Sequence, residues 1–373
     1  MIKKLFYFFK QNYNYKKIFK SKYIIIGEAN SENILKYIPS KSSQVINFQT
    51  INIYLIIKLL ILGKKITKLN YYRLSIELAN PKIVVTMQDN DTDFYRLKKF
   101  FSNIKFISIQ NGYRTEPKKT FLVKKGEKLK CDIIFCFGKQ NINYYKSFIN
   151  ANVIPLGSVK NNMLSKNIYG KYKSVSYISE YRVNNENTKI NFFNLGNIFW
   201  GDYIFYEKKL LRILGNYCKK NNIIPNIIGR FTDKNKNKEK LYFKKLLKSN
   251  FNYIEKKNQF SSYNALKRSN LIVSMSSSLG YEFLSRPNKI IFFSRPIRNL
   301  SFASKYYLFG WPSILQKRGF FFSNLINEKE LSRLIKNLMN CPQKKWIKIK
   351  KPIENQIIAF NFNNRKLKKA LKI

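Results

Sequence analysis

The chain has 373 residues, 45% of them apolar, and its 71 Lys and Arg against 20 Asp and Glu give a formal charge of +51. This length and apolar content favour two domains over a single core. The charge favours polyanionic partners, but the lysines are spread along the whole sequence, which argues against a specific nucleic-acid-binding protein.

The chain contains no histidine, and its four cysteines form no CxxC pair. A structural metal is therefore not expected, and the thiols are expected to be reduced. Any acid–base catalysis must use Asp, Glu, Tyr, Lys or water. Neither GxxxxGK[ST] nor GxGxxG occurs, so the usual signatures of ATP hydrolysis and dinucleotide chemistry are missing. We expect no metal and no cofactor.

The sequence predicts no membrane-spanning segment, because the apolar run 51–62 is short and is interrupted by Lys58. A cytoplasmic location is therefore expected. The first twenty residues are basic and aromatic. They either lie on an anionic membrane surface, which would place the protein at the inner membrane, or pack as a first helix with a solvated basic face.

In the first half, short apolar runs alternate with helical patterns, which predicts a parallel sheet with helical crossovers. The runs are 22–30, 81–91, 104–112, 131–139 and 151–159. Two of them end in acidic residues, where a general base could lie. Glu28 follows the first run, and Asp89, Asp91 and Asp93 follow the second. Asp89 is the first candidate because it is nearest the strand, whereas Asp91 also suits the N-cap of the next helix.

Polar sequence from about 160 then predicts a linker, after which the alternation resumes. Predicted strands are 189–197, which carries Gly196, and then 224–230, "NYIEK", 269–275 and "KIIFFS". We therefore predict an N-terminal domain over 1–165, a linker over 166–188, a C-terminal domain over 189–340, and a basic helical tail over 341–373. The expected fold is α/β, with two Rossmann-like parallel-sheet domains facing a cleft.

The stretch "SMSSSLGYEF" (274–283) predicts a strand, a polar turn and a helix. Serine hydroxyls and free N–H groups there can bind a phosphate, and Gly280 would let a ligand approach the backbone. Alternatively, Ser277 or Ser278 simply caps the helix. Glu282 has Leu279 three residues before it instead of a capping-box Ser or Thr, so it has no evident structural partner and could accept hydrogen bonds from a ribose.

These motifs, together with "IIGR" (227–230) and "NLGN" (194–197), resemble those of GT-B glycosyltransferases. The chain is more narrowly similar, over about 22–300, to bacterial O-antigen and surface-carbohydrate biosynthesis proteins, and distantly to glycerophosphate and sialic-acid polymerases. The resemblance implies that the C-terminal domain binds a nucleotide-sugar, with Arg230 on the diphosphate. The implied donor-binding set is Gly196, Arg230, Ser276, Ser277, Ser278, Leu279, Gly280 and Glu282.

The same resemblance implies that the N-terminal domain binds the acceptor, through Gln110, Gly112 and Arg114. In the polymerases, a histidine that looks like the catalytic base occupies the position of Asn111. Asn111 cannot take up a proton, so either it orients a substrate and another residue is the base, or Asn111 and Gly112 only form a turn.

The sequence therefore predicts a glycosyltransferase, or a sugar-phosphate transferase, that adds a residue from a nucleotide-activated donor to a lipid-linked or glycan acceptor. Three alternatives remain open. One is a sugar-nucleotide epimerase on the same fold. Another is a metal-dependent GT-A glycosyltransferase that uses Asp89 and Asp91, although a second α/β domain argues against it. The third is a basic nucleic-acid-binding protein.

Overall fold

A computed structural model describes residues 12–114, 127–166, 172–191, 196–300, 307–314 and 316–373. About half of the predicted basic segment at residues 1–20 therefore lies outside the described residues. The described residues form two compact units. Unit 1 contains those within 12–112 and 127–164, together with Phe360–Ile373. Unit 2 contains Tyr113, Arg114 and the described residues between 165 and 359.

Unit 1 is built on a six-stranded parallel sheet with strand order β3-β2-β5-β6-β7-β8. A separate parallel pair, β1 and β4, joins Asn12–Asn14 to Thr50–Asn52. The strands are β1 Asn12–Asn14, β2 Tyr23–Ile26, β3 Ser43–Ile46, β4 Thr50–Asn52, β5 Ile83–Thr86, β6 Lys105–Ile109, β7 Leu129–Cys136 and β8 Ile149–Pro155.

Successive residues of β2 enter two different cores, which explains its uninterrupted apolar sequence. Ile24 and Ile26 pack into one hydrophobic cluster, whereas Tyr23 and Ile25 pack into the cluster on the other face. A strand covered on both faces needs apolar residues at every position. The helices that follow the strands are α1 Glu32–Leu35, α2 Ile53–Ile61, α3 Lys68–Ala79, α4 Thr92–Leu97, α5 Gln140–Lys146 and α6 Val159–Asn162.

Unit 2 contains a second six-stranded parallel sheet, with strand order β13-β12-β9-β14-β15-β16. Its strands, and a separate hairpin of β10 and β11, are β9 Tyr172–Ile178, β10 Lys189–Asn191, β11 Asn197–Phe199, β12 Asn226–Ile228, β13 Asn252–Ile254, β14 Ser269–Ser274, β15 Lys289–Phe293 and β16 Phe322–Ser323. The prediction of two α/β units with parallel sheets is confirmed.

Two sequence assignments in unit 2 are wrong. The predicted linker 166–188 contains β9, a central strand of the sheet. Its sequence alternates serine with apolar residues and looks like a loop, but Ser176 is buried and hydrogen-bonds the Ser269 hydroxyl at 2.6 Å. The predicted strand 189–197 is not in the sheet either, because its ends form the antiparallel pair of β10 and β11. Residues 192–195 lie outside the described residues.

The helices after β9 are α7 Trp200–Lys220, α8 Asn235–Leu247, α9 Ser261–Lys267, α10 Ser278–Leu284, α11 Glu328–Met339, α12 Gln343–Ile357 and α13 Arg365–Leu371. Residues 341–373 are largely helical, but they do not form the one tail that the sequence predicts. Helix α12 belongs to unit 2 and α13 to unit 1. Leu367 and Leu371 of α13 pack in the core of unit 1, and the Leu371 carbonyl accepts a hydrogen bond from the Tyr23 hydroxyl at 3.1 Å.

In both sheets, the first strand of the sheet lies in its interior, because later strands are added on both sides of it. Strand β2 lies between β3 and β5, and β9 lies between β12 and β14. Parallel sheets bind ligands beyond the carboxyl ends of the strands at such points. Ligand sites are therefore expected after β2 and β5 in unit 1 and after β9 and β14 in unit 2. Among the described residues, no helix is long and apolar enough to cross a membrane.

Candidate functional site

Glu180 lies just after β9, the strand of unit 2 on whose two sides the chain adds its later strands. It follows β9, and its two carboxylate oxygens accept hydrogen bonds from the backbone N–H and the hydroxyl of Ser276, at 2.7 and 2.5 Å. These are the Ser276 donors that the sequence assigned to a phosphate. In this structure the protein's own carboxylate takes them. Sequence reasoning missed Glu180 because it lies in the segment predicted as a linker.

The buried Arg295 holds Glu180 in position through an ion pair. Its side chain is 2% exposed; it donates to Glu180 at 2.7 Å and also to Glu207. Burial raises the pKa of Glu207, and the charge of Arg295 opposes that rise. Burial disfavours the charge of Arg295, but the carboxylates of Glu207 and Glu180 raise its pKa well above the ordinary value. The network therefore supports the binding edge with fixed, buried charges.

The hydroxyls of Ser277 and Ser278 have different surroundings. Ser277 is the N-cap residue of α10, but its side chain makes no capping hydrogen bond. The Ser278 hydroxyl oxygen accepts the Tyr113 N–H at 2.9 Å, and the ring of Tyr113 stacks on Tyr281 with 3.7 Å between centroids. Neither hydroxyl makes the capping bond that the simpler interpretation required. Leu279 is half-buried in the first turn of α10.

Gly280 and Glu282 differ from their sequence interpretation. A Cβ on Gly280 would lie 2.2 Å from the Ser274 hydroxyl oxygen. The glycine therefore allows α10 to pack closely against β14, whereas the sequence interpretation assigned it to the approach of a ligand. Glu282 is buried and accepts a hydrogen bond from the Tyr263 hydroxyl. The expectation that Glu282 lacks a structural partner is therefore wrong. Its contact with a ribose stays a prediction.

Two arginines, Arg182 and Arg230, lie at the same edge of unit 2. In the described residues, neither Arg182 nor Arg230 has a hydrogen bond or ion pair from its guanidinium; Arg182 lies 5.9 Å from the Trp200 ring. Loss of solvent and then the charge of Arg182 lower the pKa of Arg230, and the carboxylates of Glu180 and Glu239 offset part of this shift. The two arginines therefore repel each other. An anion between them would relieve this repulsion. Sequence reasoning found Arg230 and missed Arg182, which lies in the predicted linker.

The backbone that carries Arg230 is held by Glu239. This buried carboxylate accepts the N–H groups of Arg230, at 3.1 Å, and Phe231, at 3.2 Å, and the Tyr253 hydroxyl at 2.6 Å. Gly196 is not part of this edge. It precedes β11 in the separate hairpin, with φ of +116° and open space beside its Cα. Its predicted place at the end of a sheet strand is therefore wrong.

In unit 1, Asp89 supports the loop that follows β6. It is fully buried, and its carboxylate accepts the Asn111 N–H at 3.1 Å and the Tyr145 hydroxyl at 2.7 Å. Asp91 is the N-cap of α4, as the alternative interpretation proposed, and it pairs with Lys68 at 2.8 Å. The catalytic roles of Asp89 and Asp91 stay predictions, since both carboxylates already have protein partners.

The loop of Gln110, Asn111 and Gly112 is tied to its surroundings mainly through Gln110. The buried Gln110 side chain donates to the Gly112 carbonyl and accepts the Phe137 N–H, at 2.7 and 2.8 Å. The exposed Asn111 side chain accepts a hydrogen bond from Asn30 at 2.7 Å. Arg114 is half-buried and groups with unit 2. The acceptor-binding roles of these residues stay predictions.

Glu28 lines a cavity of about 340 Å³ in unit 1. It follows β2 and is exposed, and one of its carboxylate oxygens accepts the Asn47 amide at 2.8 Å. The Asn14 side-chain oxygen, which also belongs to the lining, is buried without a hydrogen-bond partner in the described part of the chain. Unlike Asp89, Glu28 can reach a ligand. Within the described residues, no group of three or more Cys, Asp and Glu could hold a metal ion.

Comparison with known proteins identifies the family. A family model described as "putative O-antigen biosynthesis protein" matches residues 107–373, which is more than half of the chain. The chain belongs to this family. No curated protein matches it by sequence.

Solved structures agree with the fold. The chain is 12% identical to Staphylococcus aureus MnaA, whose structure was solved with UDP. The structural match covers 95% of this chain and 97% of MnaA, at a TM-score of 0.54. The wall teichoic acid polymerase TagF is 11% identical, with coverage of 95% and 88% and a TM-score of 0.51. Methanocaldococcus jannaschii UDP-GlcNAc 2-epimerase, in complex with UDP-GlcNAc and UDP, is 11% identical, with coverage of 94% and 99% and a TM-score of 0.51. These similarities show a GT-B-like fold.

Proposed function

We propose that this protein is a glycosyltransferase, or a sugar-phosphate transferase, that uses a nucleotide-activated donor to build a bacterial surface polysaccharide such as O-antigen or capsule. Membership of the O-antigen biosynthesis family supports the biological role. The similar structures support the donor class, because two of them contain UDP or UDP-GlcNAc and a third is a polymerase of wall teichoic acid.

The observation that carries the proposal is the pair of Arg182 and Arg230 in unit 2. Neither guanidinium has an ion pair or hydrogen bond within the described residues, and Glu180 and Glu239 offset only part of the shift in the pKa of Arg230. Two neighbouring guanidiniums of this kind are suited to a diphosphate, which can accept bidentate hydrogen bonds from both. Glu180 already occupies the donors of Ser276. The proposal therefore puts the diphosphate against the arginines. The Ser277 hydroxyl, Leu279 and the Ser278 N–H remain part of the proposed donor site.

The proposal assigns removal of the acceptor proton to Glu28. A base must lie within hydrogen-bond reach of the proton it takes, and Glu28 lines an open cavity whereas Asp89 is enclosed. The cavity volume of about 340 Å³ is at the lower end of the range for small-molecule sites. In unit 2, Arg182 and Arg230 would stabilise the charge of the departing nucleotide.

Thermal shift with UDP-, GDP-, CMP- and dTDP-sugars tests the donor site. A ligand that binds only the native state raises the melting temperature, so one of the four should shift the wild type. Arg182→Ala and Arg230→Ala should each weaken that binding about tenfold or more, since each removes hydrogen bonds to a charged group. Arg212→Ala is the matched control, because Arg212 is an exposed arginine on α7. Equal affinity of all three variants would contradict the proposal.

A sugar-nucleotide epimerase is the second candidate, because the archaeal structure with the same fold is a UDP-GlcNAc 2-epimerase. The two activities differ in their need for an acceptor. An epimerase converts the free nucleotide-sugar, so NMR of UDP-GlcNAc incubated with the protein alone would show a second UDP-sugar. A transferase leaves the nucleotide-sugar unchanged apart from slow hydrolysis until an acceptor glycan is added.

The proposal includes no metal and a lipid-linked or glycan acceptor. Activity is expected to persist in EDTA, because Arg182 and Arg230 replace a divalent ion on the diphosphate. Complete loss in EDTA with recovery in manganese would favour the GT-A alternative, in which Asp89 and Asp91 bind the metal. That outcome would also require Asp91 to leave Lys68, its partner at 2.8 Å.

A further inference from the structure

Unit 2 contains a second cavity, of about 950 Å³, on one face of its sheet. Its floor is formed by the exposed and half-buried face of β12 and β13, and one wall is formed by α9. The segment 221–224, between α7 and β12, closes one end. None of Glu180, Arg182, Arg230 and Ser276 lines it. It is therefore separate from the proposed donor site.

The floor of this groove is unusually polar for the face of a parallel sheet. Asn252, Asn226 and Ser176 occupy paired register positions on three adjacent strands. The Asn252 amide donates to Asn226 at 3.2 Å, the Asn226 amide lies 3.5 Å from the Ser176 hydroxyl, and Ser176 bonds to Ser269. Covered sheet faces are normally apolar, because buried polar groups cost free energy. Ser176 is fully buried beneath this floor, whereas Asn226, Asn252 and Ser269 line the groove. Polar groups of three strands at an open groove indicate a ligand-binding surface.

The walls add polar groups and positive charge. In the part of the chain that the structure describes, the side chains of Asn222 and Asn264 have no hydrogen-bond partner, and Lys257 and Arg268 have no ion pair. The one acidic residue of the lining, Glu255, is paired with Lys236 at 2.9 Å. The groove therefore has a net positive charge that no residue of its own lining neutralises.

These groups define the chemistry of the occupant. Amides and hydroxyls both donate and accept hydrogen bonds, which matches a polyhydroxylated ligand. Ile223, Ile224 and Ile254 add apolar surface for carbon-bound hydrogens. The two exposed cations, Lys257 and Arg268, favour an occupant with at least one acidic group. We infer that this groove binds a segment of an acidic oligosaccharide, bearing carboxylate or phosphate groups, at a site distinct from the donor site.

The test compares two variants with the same charge change. Arg268→Glu reverses a charge on the groove, and Arg212→Glu makes the same change at an exposed position of α7 outside it. Binding of a hexuronic-acid tetramer and of a neutral glucan tetramer is measured by calorimetry at 150 mM salt. The acidic tetramer should bind more tightly than the neutral one, and Arg268→Glu should weaken it at least tenfold while Arg212→Glu leaves it within twofold.

Asn264→Leu gives a second readout that does not depend on charge. Asn264 is exposed on α9, so the substitution should leave the melting temperature unchanged while it weakens both tetramers. Absence of tetramer binding at millimolar concentration, or equal effects of Arg268→Glu and Arg212→Glu, would overturn the inference. So would stronger binding of a dT oligonucleotide that competes with the tetramer. Nucleotide-sugar affinity, measured on the same variants, should not change, so failure of this inference is distinguishable from failure of the proposed function.

Discussion

At Asp89, both carboxylate oxygens accept hydrogen bonds inside unit 1, from the Asn111 N–H and the Tyr145 hydroxyl. The sequence position after a buried strand fits a catalytic base equally well, since it places a carboxylate at the binding edge. Only the contacts show that the side chain points inward and holds the backbone of Asn111. Glu28 follows a strand in the same way but remains exposed.

We predict that Asp89→Ala lowers the free energy of unfolding by about 3 kcal/mol, because it leaves the buried Tyr145 hydroxyl and the partly buried Asn111 N–H without their acceptor. Tyr145→Phe removes one of these hydrogen bonds and should cost about 1.5 kcal/mol. Chemical denaturation of the two variants measures both. Asp93→Ala is the control, since its half-exposed pair with Arg96 should contribute no more than about 1 kcal/mol. Losses of similar size in Asp89→Ala and Asp93→Ala would mean that Asp89 has no special structural role.

At the scale of elements, the short helix α10 packs against β14 at van der Waals distance, which only a glycine at position 280 permits. We predict that Gly280→Ala costs about 1–3 kcal/mol of stability, as overpacked sites usually do. The Ser274 hydroxyl is buried without a hydrogen-bond partner in the described residues, so Ser274→Gly should make room for the added methyl group.

Melting curves of the two single variants and of the double variant form a thermodynamic cycle for this contact. Gly280→Ala should cost clearly less when residue 274 is glycine. Additive effects of the two substitutions would show that contact with Ser274 does not determine the cost of an alanine at position 280.

Helix α12 contacts the end of α10 through a buried lysine. Lys350 donates to the Leu284 carbonyl, at the end of α10, and pairs with Glu354 at 2.6 Å. Burial lowers the pKa of Lys350 to about 8 from 10.5, and Glu354 opposes this shift. Below pH 8 the folded protein carries the cost of a buried charge. Between pH 8 and 10.5 the unfolded state binds more protons, so this group contributes stability as the pH rises.

We therefore predict that the stability of the wild type, relative to Lys350→Met, increases from pH 8 towards pH 10, by at most about 1.4 kcal/mol per pH unit. Taking the difference between the two proteins removes the effect of other groups that titrate in this range. Denaturation at pH 7, 8, 9 and 10 measures it. A difference that stays constant, or that falls with pH, would show that burial does not lower the pKa of Lys350.

Strands with an uninterrupted apolar run could be predicted from the sequence, as β2, β5 and β14 were, because a strand buried on both faces has few polar positions. Strand β9 could not, since its buried serines are satisfied by partners far along the chain. That one omission also hid Glu180 and Arg182, which follow β9. Ser276 and Arg230 were found because each follows a strand that the sequence does reveal.

At the scale of the whole molecule, the formal charge of +51 predicts attraction to anionic membranes. We expect the protein to cosediment with vesicles containing phosphatidylglycerol at 50 mM salt and to be released at 500 mM, because salt screens surface charge. Vesicles of phosphatidylcholine alone are the control and should bind little. Binding to both kinds of vesicle, or binding that survives high salt, would indicate apolar insertion instead of electrostatic attraction.

The placement of α13 has a consequence for the order in which the protein folds during synthesis. Leu367 and Leu371 complete a core whose other members, such as Tyr23 and Ile107, are translated hundreds of residues earlier. The ribosome makes nearly all of unit 2 in between. Part of the apolar surface of unit 1 therefore stays uncovered until α13 has been synthesised. Unit 2 has all of its strands and helices before that point, so it can fold first.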